Sequence, residues 1–111
     1  MTGRAKDLIV RGGVNIAPLE IDGVISELAE IAEACTVGVP DPIYGEAVVS
    51  YVALKAGAHL TRETIHAHCA QRLPALKAPK EIVIRDSLPR TARGKLDRNA
   101  LADEWRRANG T

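Results

Sequence analysis

The sequence predicts an α+β fold: a small mixed β-sheet of about three strands flanked by helices, with an N-terminal β-hairpin. Two observations carry this. Short β-branched runs alternate with segments whose apolar residues recur at helical spacing. The first apolar run is broken by a Gly12-Gly13 pair and then resumes.

Leu8-Ile9-Val10 reads as a strand by its β-branched content, and Val14-Asn15-Ile16 as its hairpin partner, with Gly12-Gly13 at the turn. The glycine pair has two compatible readings: a turn that needs positive φ, or a backbone left bare so that a ligand can approach. Pro18 suits a helix's first turn, and Glu20 and Asp22 suit its positive end. Ile21, Val24, Ile25 and Leu28 then fall at i, i+3, i+4 and i+7, which predicts a helix ending near Ala29 or Glu30. Gly23 weakens it by about 1 kcal/mol relative to alanine.

Ile31 to Val39 reads as a strand terminated by Pro40-Asp41-Pro42. Ala47 to Leu54 is the most apolar run and predicts a central strand covered on both faces. Thr61 caps a helix bearing Ile65, Cys69 and Leu73, stopped by Pro74. Residues 77–80 link it to a strand at Glu81 to Arg85. A basic loop follows Leu88-Pro89, and Asp97 caps a last helix with Leu101, Trp105 and Ala108 on one face.

The 111 residues form a single domain, 1–111, with 107–111 expected as a flexible tail. Hydrophobic content of 46% excludes a disordered chain. A net charge of +1 gives no global field for nucleic acid or anionic membrane, so any basic function is local. Three aromatic residues, Trp105, Tyr44 and Tyr51, offer little to stack bases on. Cys35 and Cys69 lack CxxC spacing and read as buried thiols of a reducing compartment. With no signal peptide and no long apolar run, the expected location is the cytoplasm, with no membrane span. Met1-Thr2-Gly3-Arg4 runs straight into charged residues, which fits either a whole small protein or the end of a longer one.

Few groups could carry chemistry. His66 and Cys69 share a helical face but have no second ligand pair nearby, so no metal site is expected. Gly94-Lys95 is followed by Leu96, which does not complete a P-loop, and GxGxxG is absent. What stands out is Pro89-Arg90-Thr91-Ala92-Arg93-Gly94-Lys95-Leu96-Asp97-Arg98, four basic residues around one glycine. From its residues alone it reads as a solvated turn or as a mobile, anion-binding tip.

Gly3 to Asp22, GRAKDLIVRGGVNIAPLEID, resembles the GRxKDxIxxGGxNIxPxEIE motif of adenylate-forming acyl-CoA synthetases. Pro89 to Arg98 resembles their closing PRTxxGKxxR motif, and Val37 to Glu46 their VGVPDxxxGE segment. The three occur in order and cover nearly the whole chain. The resemblance implies the C-terminal mobile domain of such a ligase, whose large N-terminal adenylation domain is not in this sequence. In that family a carboxylic acid reacts with ATP to give acyl-AMP and pyrophosphate. The thiol of CoA then displaces AMP, after the small domain has rotated.

By the same resemblance, Lys95 is the catalytic lysine of adenylation, Lys6 the hinge within residues 1–7, and Arg4 the nucleotide-binding arginine. Gly12 and Gly13 would line the tunnel for the pantetheine arm of CoA. ATP with Mg and CoA are implied as substrates of the full enzyme, with none bound by this domain alone. The Pro89 to Lys95 stretch has the form in which relatives are acetylated on lysine, which implies an acetyltransferase and a deacetylase as partners at Lys95. Val14 and Ala17 depart from the Glu, and from the Tyr or other large residue, that many relatives carry there. The GGxNI pattern favours CoA as acceptor, while the closing motif is shared with enzymes that load carrier proteins. The alternatives are a stand-alone binding module or acetylation target of the same fold, and a nucleic-acid binder using Arg90, Arg93, Lys95, Arg98, Arg106 and Arg107.

Overall fold

A computed structural model describes residues 8–108. The elements are β1 (Ile9–Arg11), β2 (Val14–Ile16), α1 (Pro18–Ile25), β3 (Ile31–Asp41), β4 (Gly45–Leu54), α2 (Arg62–Arg72), β5 (Glu81–Arg85) and α3 (Arg98–Ala108). Their order is the one the sequence predicts. Strands β1 and β2 form a two-stranded hairpin, and β3-β4-β5 form a separate sheet. β3 and β4 are antiparallel, whereas β4 and β5 are parallel. Parallel pairing needs a crossover, and α2 supplies it.

β4 is the central strand, and each of its faces packs a core. Val48 and Val52 point to one side, where Ile21 and Ile25 of α1, Ile65 and Cys69 of α2, and Ile9 and Ile16 of the hairpin meet. Ala47, Val49, Tyr51 and Ala53 point to the other, against Cys35, Val37 and Val39 of β3, Leu88, and Leu101 of α3. The apolar run of β4 is continuous because helices cover both faces.

Local chemistry explains the ends of most elements. Thr61 accepts the Thr64 N–H at its side-chain oxygen and caps α2. Asp97 Oδ1 accepts the Ala100 N–H at 3.0 Å and caps α3. Gly12 and Gly13 have φ of 58° and 84°, as a two-residue hairpin loop of the primed class requires.

Three boundaries and one helix face differ from expectation. α1 stops at Ile25, short of Ala29. The chain continues in three-residue turns, with Glu27 N–H bonded to Val24 C=O and Leu28 N–H to Ile25 C=O. Leu28 keeps its place against the core through these turns, so the apolar period outlasts the helix. β3 runs through Pro40 to Asp41, because β3 is an edge strand, where proline is tolerated. α3 extends to Ala108, so residues 107 and 108 of the expected tail are helical, and residues 109–111 lie outside the described set. Ala108 is exposed, so the buried face of α3 is Leu101 with Trp105 packed beside it.

Candidate functional site

The basic stretch before α3 folds as a small closed hairpin. Arg90 and Leu96 form an antiparallel bridge. Thr91 N–H donates to Lys95 C=O at 2.7 Å, Gly94 N–H to Thr91 C=O at 2.9 Å, and Asp97 N–H to Pro89 C=O at 2.9 Å. Gly94 has φ of 85°, in the left-handed region that glycine enters without penalty. Arg90 Nη1 donates to the Gly94 C=O at 2.7 Å, and its guanidinium also pairs with Glu33. The tip is therefore tied down by backbone bonds and one arginine.

Lys95 is exposed on this hairpin and makes no ion pair with another described residue. With Thr91 and Leu96 to Asn99, it lines an open cleft of about 550 Å³. The opposite wall is apolar: Leu8, Ala17, Pro18 and Leu19. An ammonium held by a fixed backbone beside an apolar wall can stabilise an anion brought to that cleft. Arg93 and Arg107 likewise form no ion pair among the described residues, whereas Arg90, Arg98 and Arg106 pair with Glu33, Asp22 and Asp103. Half of the basic residues in the nucleic-acid reading are thus engaged within the fold.

The base of the hairpin is fixed by a network that the sequence reading missed. Asp22 of α1 is buried. Its Oδ2 accepts from Arg98 Nη2 at 2.8 Å, and its Oδ1 accepts from the Thr36 backbone N–H at 2.7 Å. Arg98 Nη1 donates to the Thr36 C=O at 2.8 Å. Three residues beyond Lys95, the chain is thereby locked to α1 and β3. Burial pushes the Asp22 carboxyl above its ordinary value, more than the Arg98 guanidinium and the Thr36 and Arg98 hydrogen bonds pull it down. One signal was available: Asp22 lies three residues before Ile25, on the face that is buried, and a charge there needs a partner.

Gly12 and Gly13 do not line the Lys95 cleft. Gly12 sits against the β3–β4 turn, where its N–H donates to Tyr44 C=O at 2.9 Å. A side chain on Gly12 would meet the Tyr44 ring at 3.3 Å, while nothing lies within 4 Å of a Cβ built on Gly13. The two candidate features thus occupy different places on the domain. Arg4 and Lys6 lie outside the described residues. Cys69 is in the core, and His68 Nε2 sits 3.1 Å from Glu27, so the histidines and cysteine do not converge. Burial pushes both thiols up to about 11.

Fold and hairpin define a small α+β domain that displays, on a braced turn, a lysine with no ion pair among the described residues. The chain belongs to the AMP-binding enzyme C-terminal domain family, which matches residues 20–95. It is 44% identical over 101 residues to a sulfoacetate–CoA ligase of Cupriavidus necator, covering 91% of this chain and 20% of that protein. An oxalate–CoA ligase of Arabidopsis thaliana is 40% identical over 105 residues, covering 95% of this chain and 20% of that protein. Among solved structures, apo MatB from Rhodopseudomonas palustris matches with a TM-score of 0.87 at 32% identity, over 92% of this chain and 20% of that one. The chain spans about one fifth of the length of these relatives. No described helix is long and apolar enough to cross a membrane.

Proposed function

We propose that this domain is the mobile C-terminal part of an ATP-dependent acid–CoA ligase, and that Lys95 serves its adenylation step. The observation that carries the reading is the Lys95 hairpin: an exposed ammonium without an ion-pair partner among the described residues, on a braced turn, in a chain whose relatives are CoA ligases. In the first half-reaction a carboxylate oxygen attacks the α-phosphorus of MgATP and pyrophosphate leaves. Two anions must meet, and a cation between them offsets their repulsion and the charge that builds in the transition state. Lys95 supplies that cation. Its partner anions are held by the larger adenylation domain, outside this chain.

In the second half-reaction the CoA thiol sulfur attacks the acyl carbon and AMP leaves. The Gly12–Gly13 turn lines the path of the pantetheine arm, which the open space at Gly13 supports. Gly12–Gly13 and Lys95 occupy separate places, as a domain that presents different faces in the two steps requires. Lys6 is the hinge for that rotation and Arg4 a nucleotide contact. The exposed Lys95 also suits acetylation, which would remove the charge that adenylation needs. The free Cys35 and Cys69 suit a reducing cytoplasm.

In the full-length ligase, Lys95→Ala is expected to lower ATP–pyrophosphate exchange by 100-fold or more, on the order of one lost oxyanion donor. Thioester formation from preformed acyl-adenylate should stay near wild type. Equal loss in both steps would contradict the assignment. The 111-residue chain alone should give no exchange with a panel of carboxylic acids.

A further inference from the structure

The Val37 to Glu46 segment forms the end of β3, the β3–β4 turn and the start of β4. The structure connects Gly38, Glu46 and the turn shaped by Asp41 to the β1–β2 hairpin. Glu46 Oε1 accepts the Val10 N–H at 2.7 Å. Glu46 Oε2 lies 2.9 Å, and Ile9 Cγ1 3.0 Å, from where a Cβ on Gly38 would stand. Gly38 therefore leaves the space in which the Glu46 carboxylate and β1 meet over β3. Asp41 Oδ1 accepts the N–H groups of Ile43 and Tyr44 at 2.7 and 3.0 Å and shapes the β3–β4 turn. That turn presents the Tyr44 C=O to Gly12 N–H and the Tyr44 ring to the Arg11 guanidinium, 4.7 Å from the ring centroid. Arg11 Nη1 also donates to the Leu76 C=O at 2.7 Å.

A three-residue-per-strand hairpin is marginal alone. Its lower end is anchored by Ile9 and Ile16 in the core, but its tip is held by these polar ties. We infer that the Gly38–Glu46 segment is the seat of the Gly12–Gly13 turn, and that Glu46 is a positioning residue for the thiol-transfer half-reaction. Glu46 touches no reacting atom. It acts by fixing Val10, two residues before Gly12, so that the bare glycine backbone stays at the height the pantetheine arm needs. This rests on the function proposed above, because only that reading gives the glycine turn a substrate.

Glu46→Ala removes the acceptor for Val10 N–H, and Glu46→Gln keeps one. In the 111-residue chain, Glu46→Ala should speed amide hydrogen exchange at Val10 to Val14 at least 10-fold, with β4 and α2 unchanged, and Glu46→Gln should restore protection. In the full-length ligase, Glu46→Ala should slow thioester formation from preformed acyl-adenylate and CoA about 10- to 100-fold, as misplacement near 1 Å does. ATP–pyrophosphate exchange should stay within about twofold, and Glu46→Gln should recover most of the loss. Unchanged exchange at Val10 to Val14 would overturn the seat, and equal loss in both half-reactions would overturn the positioning role. If the wild-type ligase forms no thioester while Glu46→Ala still loosens the hairpin, the seat stands and the proposed function fails.

Discussion

Among single residues, Asp22 and Arg98 deserve the closest test, because their contact joins two regions 76 residues apart in sequence. Asp22→Ala leaves a half-buried guanidinium without its carboxylate and the Thr36 N–H without its acceptor. The expected loss is about 3 kcal/mol of stability, read by urea denaturation of the 111-residue chain. A change under about 0.5 kcal/mol would mean that the pair is dispensable. Lys95 is the opposite case. It is exposed, and Lys95→Ala should leave the same denaturation curve unmoved while affecting catalysis. Arg98 and Lys95 are both basic residues of one stretch in the sequence, and only tertiary structure separates them. Sequence shows that both carry charge, but not that one faces an acid from α1 and the other faces solvent.

The turns are the elements where function and local backbone chemistry meet. Gly94→Ala puts a Cβ at φ of 85°, costing about 1–2 kcal/mol in a hairpin with few bonds to lose. Adenylation in the full-length ligase should weaken with it, while thioester formation from preformed adenylate should not. Loss in the second step alone would contradict this. The β3–β4 turn should respond to acid. The Tyr44 and Ile43 N–H groups hold the Asp41 carboxyl below its usual range. A group with a depressed folded value contributes stability above its unfolded value and loses it as pH falls through the folded one. The Tyr44 and Gly12 amide signals should therefore shift together below about pH 4, and Asp41→Asn should abolish that step. Element order was readable because periodicity, caps and glycine turns are local signals, as at Thr61 and Gly12-Gly13. The end of α1 and the passage of β3 through Pro40 were not. They depend on where Leu28 finds the core and on which strand is the sheet edge.

Across the whole molecule, one sheet separates two cores, with α1 and α2 on one side and α3 on the other. The continuous apolar run of β4 announced burial on both faces, whereas the pairing partners of β4 needed the fold. α3 packs Leu101 fully into the second core and leads directly out of the Lys95 hairpin. Trp105, on the same helix, is the chain's single tryptophan and is partly buried there. Its indole emission therefore reports on α3 without competition from any other tryptophan in the domain. Detachment of that helix would shift the spectrum to the red, whereas loosening of the glycine hairpin would leave it unchanged. The domain thus carries its own optical label on the helix next to the lysine hairpin.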